Sequence, residues 1–236
     1  MPTVFWQITG LRDDMYLSTD YPVGRPAFEL SQDQLATVID LLCSGATEAR
    51  KLVTPGMLEV PITIQVRKAM LKLKKRRSLT NLQIVGEYEL LDLQSDDPDV
   101  LGRIDIILQF LHQFGDEEAY LGVECKRVSP GNNTLNQRYI TQGVARFVTG
   151  KYALGHHWGI MLGYVLQVPY RDLVNNIDSR VRSAYGDDAR LHPNGGHPLA
   201  LSLHTCMLPQ GEGGHRIRLL HIFVDMAAAR PHSSIP

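Results

Sequence analysis

The chain is poor in cysteine, nearly neutral and free of long apolar runs, and each shortage removes a class of protein. Cys43, Cys125 and Cys206 lie far apart with no CxxC pair, which argues against a disulfide framework and against a zinc knuckle. A formal net charge of -1 supplies no global pull toward nucleic acid, so such binding requires a local basic surface. No apolar stretch is long enough to cross a bilayer, and the opening "MPTVFWQITGLRDD" has no basic flank leading into an apolar segment. A cytoplasmic protein with no membrane partner is therefore expected. There is no low-complexity tract, internal repeat, GxGxxG or Walker pattern. His156 and His157 are adjacent and point apart on any regular element, which makes them a poor shared metal pair.

What is present is an ordinary globular composition, and 236 residues suffice to bury the core of a single α/β domain. "SQDQLATVIDLLCSGATEARKLV" reads as an amphipathic helix capped by Ser31, with Gly45 as a point of interruption. "EVPITIQVRKAMLKLKKRR" aligns Ile62, Val66, Met70 and Leu73 on one stripe and tolerates Pro61 in its first turn. "NLQIVGEYELLD", "GRIDIILQF" and "AYLGVECKRV" follow as three strands of a meander. A helix from about Asn136 to Tyr152, an apolar strand "WGIMLGYVLQV" and a helix "PYRDLVNNIDSRVRSAYG" come next. "LALSLHTCML" and "RIRLLHIFVDM" close the pattern as two strands joined by a glycine-rich turn. This order predicts an α/β fold with a mixed sheet flanked by helices.

The chemistry concentrates on two strands. Strand side chains alternate, so Tyr120, Gly122, Glu124 and Lys126 share one face while Leu121, Val123 and Cys125 share the other. Alternation likewise sets Asp105 and Ile107 opposite Ile104, Ile106 and Leu108. If the two strands are antiparallel neighbours, Asp105 and Glu124 converge at one end of the sheet. Two carboxylates that close raise each other's pKa unless a cation sits between them, and Mg²⁺ accepts such a sparse oxygen set. Lys126, beside the ion, is expected to have a lowered pKa and to hold or deprotonate an attacking water. The competing reading is an ordinary Glu124–Lys126 pair on a half-exposed strand face.

"GRIDIIL" followed by "YLGVECKRV" resembles the Asp and Glu-x-Lys core of the PD-(D/E)XK nucleases, the restriction-endonuclease-like superfamily, with Cys125 in the middle position. The proline of that name is absent, since Arg103 and Ile104 precede Asp105. "EVPIT" resembles the helix start that carries an extra acid in many members, which would be Glu59, with Glu87 and Glu89 as alternatives. "QRYITQGVARFVTGKYA" resembles the helix after the lysine, which places a polar residue facing the metal at Gln142 and Arg138 or Arg146 near phosphate.

The resemblance spans residues 59–185 as the nuclease core of a single domain, with 1–58 as a helical addition and 186–236 as a β-hairpin addition. It implies that Asp105, Glu124 and the Cys125 carbonyl hold Mg²⁺ (or Mn²⁺), one ion or two, while Lys126 assists water under Glu59 and Gln142. The implied activity is metal-dependent endonucleolytic hydrolysis of DNA, in bacterial defence or DNA processing, by a homodimer or a larger defence complex. The alternatives are RNA cleavage and a non-catalytic nucleic-acid-binding or adaptor module. "LKLKKRR" offers Lys72, Lys74, Lys75, Arg76 and Arg77 as a phosphate grip, or as the solvated cationic end of a helix.

Overall fold

The computed structural model describes residues 29–54, 56–91, 100–211 and 214–227. Helix α1, Gln32–Arg50, begins in a capping box: the Ser31 hydroxyl accepts the Gln34 amide at 3.2 Å, and Gln34 Oε1 accepts the Ser31 amide at 2.8 Å. Gly45 does not interrupt it. The helix runs on, and the missing side chain lets α2 approach, since a Cβ at Gly45 would lie 2.6 Å from Met70 Cγ. Helix α2, Glu59–Arg76, buries the expected stripe of Ile62, Val66, Met70 and Leu73.

Among the described residues seven strands form one mixed sheet: β1 Leu82–Leu91, β2 Val100–Phe110, β3 Leu121–Val128, β4 Trp158–Val165, β5 His192–Pro193, β6 Ser202–Gln210 and β7 His215–Asp225. Their order across the sheet is β1-β2-β3-β4-β7-β6-β5. The first three strands are the expected antiparallel meander, β3, β4 and β7 run parallel, and β6 returns antiparallel on β7. β4 is buried along its whole length, as a strand covered on both faces must be.

Helices α1 and α2 cover one face, meeting Ile106, Leu108, Val123, Cys125, Ile160, Leu162 and Ile222. The other face is covered by α3 Asn133–Tyr139, a π turn Ile140–Val144, α4 Ala145–Val148 and α5 Arg171–Tyr185, over Ile107, Met161, Val165, Leu219 and Phe223. The helix expected over Asn136–Tyr152 thus starts three residues earlier, where Asn132 caps it, and ends at Val148.

Two expectations are corrected. The C-terminal strands are no addition: β7 lies beside β4 with eight residue pairs in register, and without it the central strand would expose an edge. α1 likewise belongs to the core rather than to an appendage, because Leu35, Val38, Leu41 and Leu42 are buried against α2 and the sheet. Residues 1–28 of the expected N-terminal addition lie outside the described residues. The alternation along β2 also slips once. Ile104 packs with Ile107 rather than with Ile106 and Leu108. The β1–β2 ladder steps over Glu87 and Asp105 at that point, and Glu87 takes φ 52°.

Candidate active site at the open edge of β3

The site exists because β2 leaves β3 early. Their ladder runs through Leu108↔Leu121, Ile107↔Gly122 and Ile106↔Val123 and stops there, whereas β3 continues beside β4 to Val128. From residue 124 onward one edge of β3 has lost its partner strand, and its backbone groups need other partners. Carboxylates supply them. Asp105 Oδ2 accepts the Cys125 amide at 2.7 Å, and Glu59 Oε2, from the first turn of α2, accepts the Arg127 amide at 3.0 Å. Two acids expected from sequence to do chemistry therefore also cap the open edge.

Lys126 stands at the centre. Its Nζ donates to Glu124 Oε1 at 2.7 Å, to Glu59 Oε1 at 2.9 Å and to the Cys125 carbonyl at 3.0 Å. Only 8 % of its side chain is exposed, and Glu124 is fully buried. Burial works to lower the Lys126 pKa, but Glu124, Asp105 and Glu59 outweigh it and push the pKa above the ordinary lysine value. With three carboxylates around it the ammonium is the favoured form, and the lowered pKa expected from sequence belongs to the site with an ion bound.

Burial and then Asp105 raise the Glu124 carboxyl to about 8, against the opposing pull of Lys126 and Arg146. Burial also raises Asp105, countered by Lys126 and the Cys125 amide. The second oxygen of Glu124, Oε2, is buried without a hydrogen-bond partner. An orphaned carboxylate oxygen beside a second strained acid is the electrostatic setting that a cation relieves.

Among the described residues no group of three or more His, Cys, Asp or Glu side chains is placed to hold a metal. The candidate donors are two carboxylates, Asp105 and Glu124, and the Cys125 carbonyl, an all-oxygen set within the range of Mg²⁺. The Cys125 thiol takes no part: it is fully buried on the opposite face, and burial pushes its pKa well up.

Beside Lys126 opens a cleft of about 220 Å³ lined by Leu58, Glu59, Val60, Pro61, Lys126, Arg127, Leu135, Arg138 and Gln142. Arg138 and Gln142 are exposed and line this cleft together with Lys126. Gln142 lies in the π turn, a distortion frequent at functional sites. Gly143, next to it, lets this helix rest on the lysine stem: a Cβ there would lie 3.4 Å from Lys126 Cγ and 2.5 Å from Met161 Cε.

Arg146 lies elsewhere. Its Nη1 donates to Glu124 Oε1 at 2.8 Å and to the Tyr152 hydroxyl at 2.5 Å, so it is engaged with a buried acid rather than presented on the cleft. Lys72, Lys74, Lys75, Arg76 and Arg77 are not brought to the site. They lie roughly 20 to 27 Å along α2 from Glu59 at a rise of about 1.5 Å per residue, and Arg77 pairs with Asp40. Glu87 and Glu89 stand on β1, where Glu89 pairs with Arg103 at 2.5 Å; Glu59 is the third acid at the lysine.

The Tyr152 hydroxyl bond to the Arg103 carbonyl and the Arg127 amide bond to Glu59 have no local signal in the sequence, because each partner lies far away in the chain. Among the described residues no helix is long and apolar enough to cross a membrane. No family model, curated protein or solved structure matches the chain.

Proposed function

We propose that the protein is a Mg²⁺- or Mn²⁺-dependent endonuclease of the restriction-endonuclease-like type, hydrolysing phosphodiester bonds of DNA. The observation that carries this reading is the junction at the open edge of β3: Lys126 Nζ within 3.0 Å of Glu59, Glu124 and the Cys125 carbonyl, with Asp105 bonded to the Cys125 amide and Glu124 Oε2 left without a partner. A buried Asp, Glu and Lys serving packing alone would cost more than an apolar trio of similar volume.

Asp105, Glu124 and the Cys125 carbonyl would hold the ion, whose contribution when bound is charge stabilisation at the phosphate and activation of water. The chain's own groups divide the remaining work. Lys126 orients water and stabilises developing negative charge. Glu59 Oε1, beside it and partly exposed, orients the same water and takes its proton. Arg138 and Gln142 receive the phosphodiester in the cleft.

The test is a Mg²⁺ and Mn²⁺ titration with plasmid, single-stranded DNA and RNA, using the wild type, Asp105→Asn and Lys126→Met. Metal-dependent plasmid cleavage that falls at least a hundredfold in both variants is the expected result. Cleavage of RNA alone reassigns the substrate. DNA binding unchanged by metal or by either substitution, without cleavage, replaces the enzyme with an adaptor module of the same fold.

A further inference from the structure

Beyond residue 123 no backbone ladder joins β2 to β3, yet the two strands carry the two acids whose separation decides what lies between them. A chain of side-chain bonds spans the gap from the far side. The Tyr152 hydroxyl donates to the carbonyl of Arg103, two residues before Asp105 on β2. Arg146 Nη1 donates to the Tyr152 oxygen at 2.5 Å and to Glu124 Oε1 on β3 at 2.8 Å. The guanidinium also lies over the Tyr152 ring, 5.2 Å from its centroid. Tyr152 is fully buried, and its ring is fixed edge-on against Phe147 at 5.9 Å. The anchor is therefore rigid where the strand pairing has ended.

We infer that Arg146 and Tyr152 form a bracket that sets the gap between the Asp105 and Glu124 strands, making both positioning residues for the site rather than contacts to substrate. The bracket fixes one oxygen of Glu124, so that Oε2 is the oxygen left to face another partner. It also bears on the Asp105 side: the Arg103 carbonyl is held two residues upstream, while Asp105 itself reaches across to the Cys125 amide. This assigns Arg146 a task different from phosphate binding. The consequence for metal rests on the proposed function, whereas the bracket itself does not.

Three measurements on the full chain separate these claims. Tyr152→Phe keeps the ring and removes only the hydroxyl, and Arg146→Lys keeps the charge but not the two-way bridge. Amide hydrogen exchange reads the gap without metal. In both variants the Cys125 amide is expected to exchange at least tenfold faster, with the Leu162 and Ile222 amides of β4 and β7 unchanged. Unchanged Cys125 protection, or equal acceleration at all three amides, overturns the bracket.

Mn²⁺ binding by electron paramagnetic resonance is expected to weaken several-fold in both variants. In plasmid cleavage kcat should fall while KM for DNA stays constant. A raised KM with unchanged kcat instead returns Arg146 to phosphate binding and overturns the positioning role. If the wild type binds no Mn²⁺ and cleaves nothing, the nuclease reading fails, and the exchange result alone still decides the bracket.

Discussion

Lys126 Nζ and Glu59 Oε1 meet at 2.9 Å across 67 positions of sequence, tying the start of α2 to the open edge of β3. The same ammonium neutralises the fully buried Glu124. Removing one member of a buried ion pair strands the other, at a cost of about 3 kcal/mol or more. Lys126→Met is therefore expected to lower unfolding free energy by that order in urea titrations at pH 8.5, where the Glu124 carboxyl, raised to about 8, is ionised. Adding Glu124→Gln to Lys126→Met should recover most of the loss. An additive double variant would show that the two groups are not coupled.

Gly143 is expected to tolerate no side chain without a functional cost. An alanine Cβ would lie 2.5 Å from Met161 Cε and 3.4 Å from Lys126 Cγ. The flexible end of Met161 can yield, so Gly143→Ala should cost about 1 to 2 kcal/mol. Moving the lysine stem by a few tenths of an ångström should reduce cleavage about tenfold or more at saturating substrate. Steady-state kinetics beside a thermal melt separates the two effects.

Stability should peak near pH 6.5. His221 is fully buried, with Tyr139 Oη 2.8 Å from Nδ1 and Cys206 Sγ 3.3 Å from Nε2. Burial, reinforced by His204, lowers its pKa to about 3, and burial lowers that of His156 to about 4. In the unfolded chain a histidine gains its proton near pH 6.5. Below that value the unfolded state binds more protons, so each histidine removes about 1.4 kcal/mol per pH unit as pH falls toward its folded pKa.

Glu124 acts in the opposite sense. Its folded pKa of about 8, set by burial and Asp105, lies above the ordinary glutamate value, so stability falls as pH rises from about 4.5 to 8. Urea midpoints measured from pH 4.5 to 8.5 should pass through a maximum; a steady rise to pH 8.5 would contradict the buried state of Glu124.

The basic end of α2 is expected to act on affinity alone. Lys72, Lys75 and Arg76 are exposed and lie roughly 20 Å or more along the helix from Glu59. Replacing all three with Gln should weaken DNA binding and reduce its salt dependence by up to about three ion equivalents, leaving kcat unchanged. An unaltered salt slope would make this run a solvated helix terminus.

The parts of the site that obey a local rule were legible in the sequence. Period-two alternation put Glu124 and Lys126 on one face, and the helical stripe placed Glu59 at the start of α2. The exit of β2 was not legible, because it depends on where a ladder between distant segments stops. For the same reason the bond from Lys126 to Glu59 has no local signal: alternation identifies neighbours on a strand but does not count the carboxylates that another layer brings. Arg146 was named for phosphate on its place in the helix, yet its partners are Tyr152, beyond the helix end, and Glu124, 22 positions upstream. The parallel pairing of β7 with β4 was hidden for a similar reason, since two apolar strands next to each other in sequence read as a hairpin whether or not they enter the main sheet.

The distortion at Glu87 has a bearing on how copies of the chain behave when crowded. Among the described residues β1 is the outermost strand on its side, and its interior carries Glu87 at φ 52° together with the exposed charge of Glu89. A flat rim with an unbroken row of amides invites strand-on-strand stacking between molecules, and a kink with acidic side chains spoils that template. The rim of this sheet thus carries a guard against fibril growth, and substituting both Glu87 and Glu89 by valine, which disfavours positive φ, would remove it.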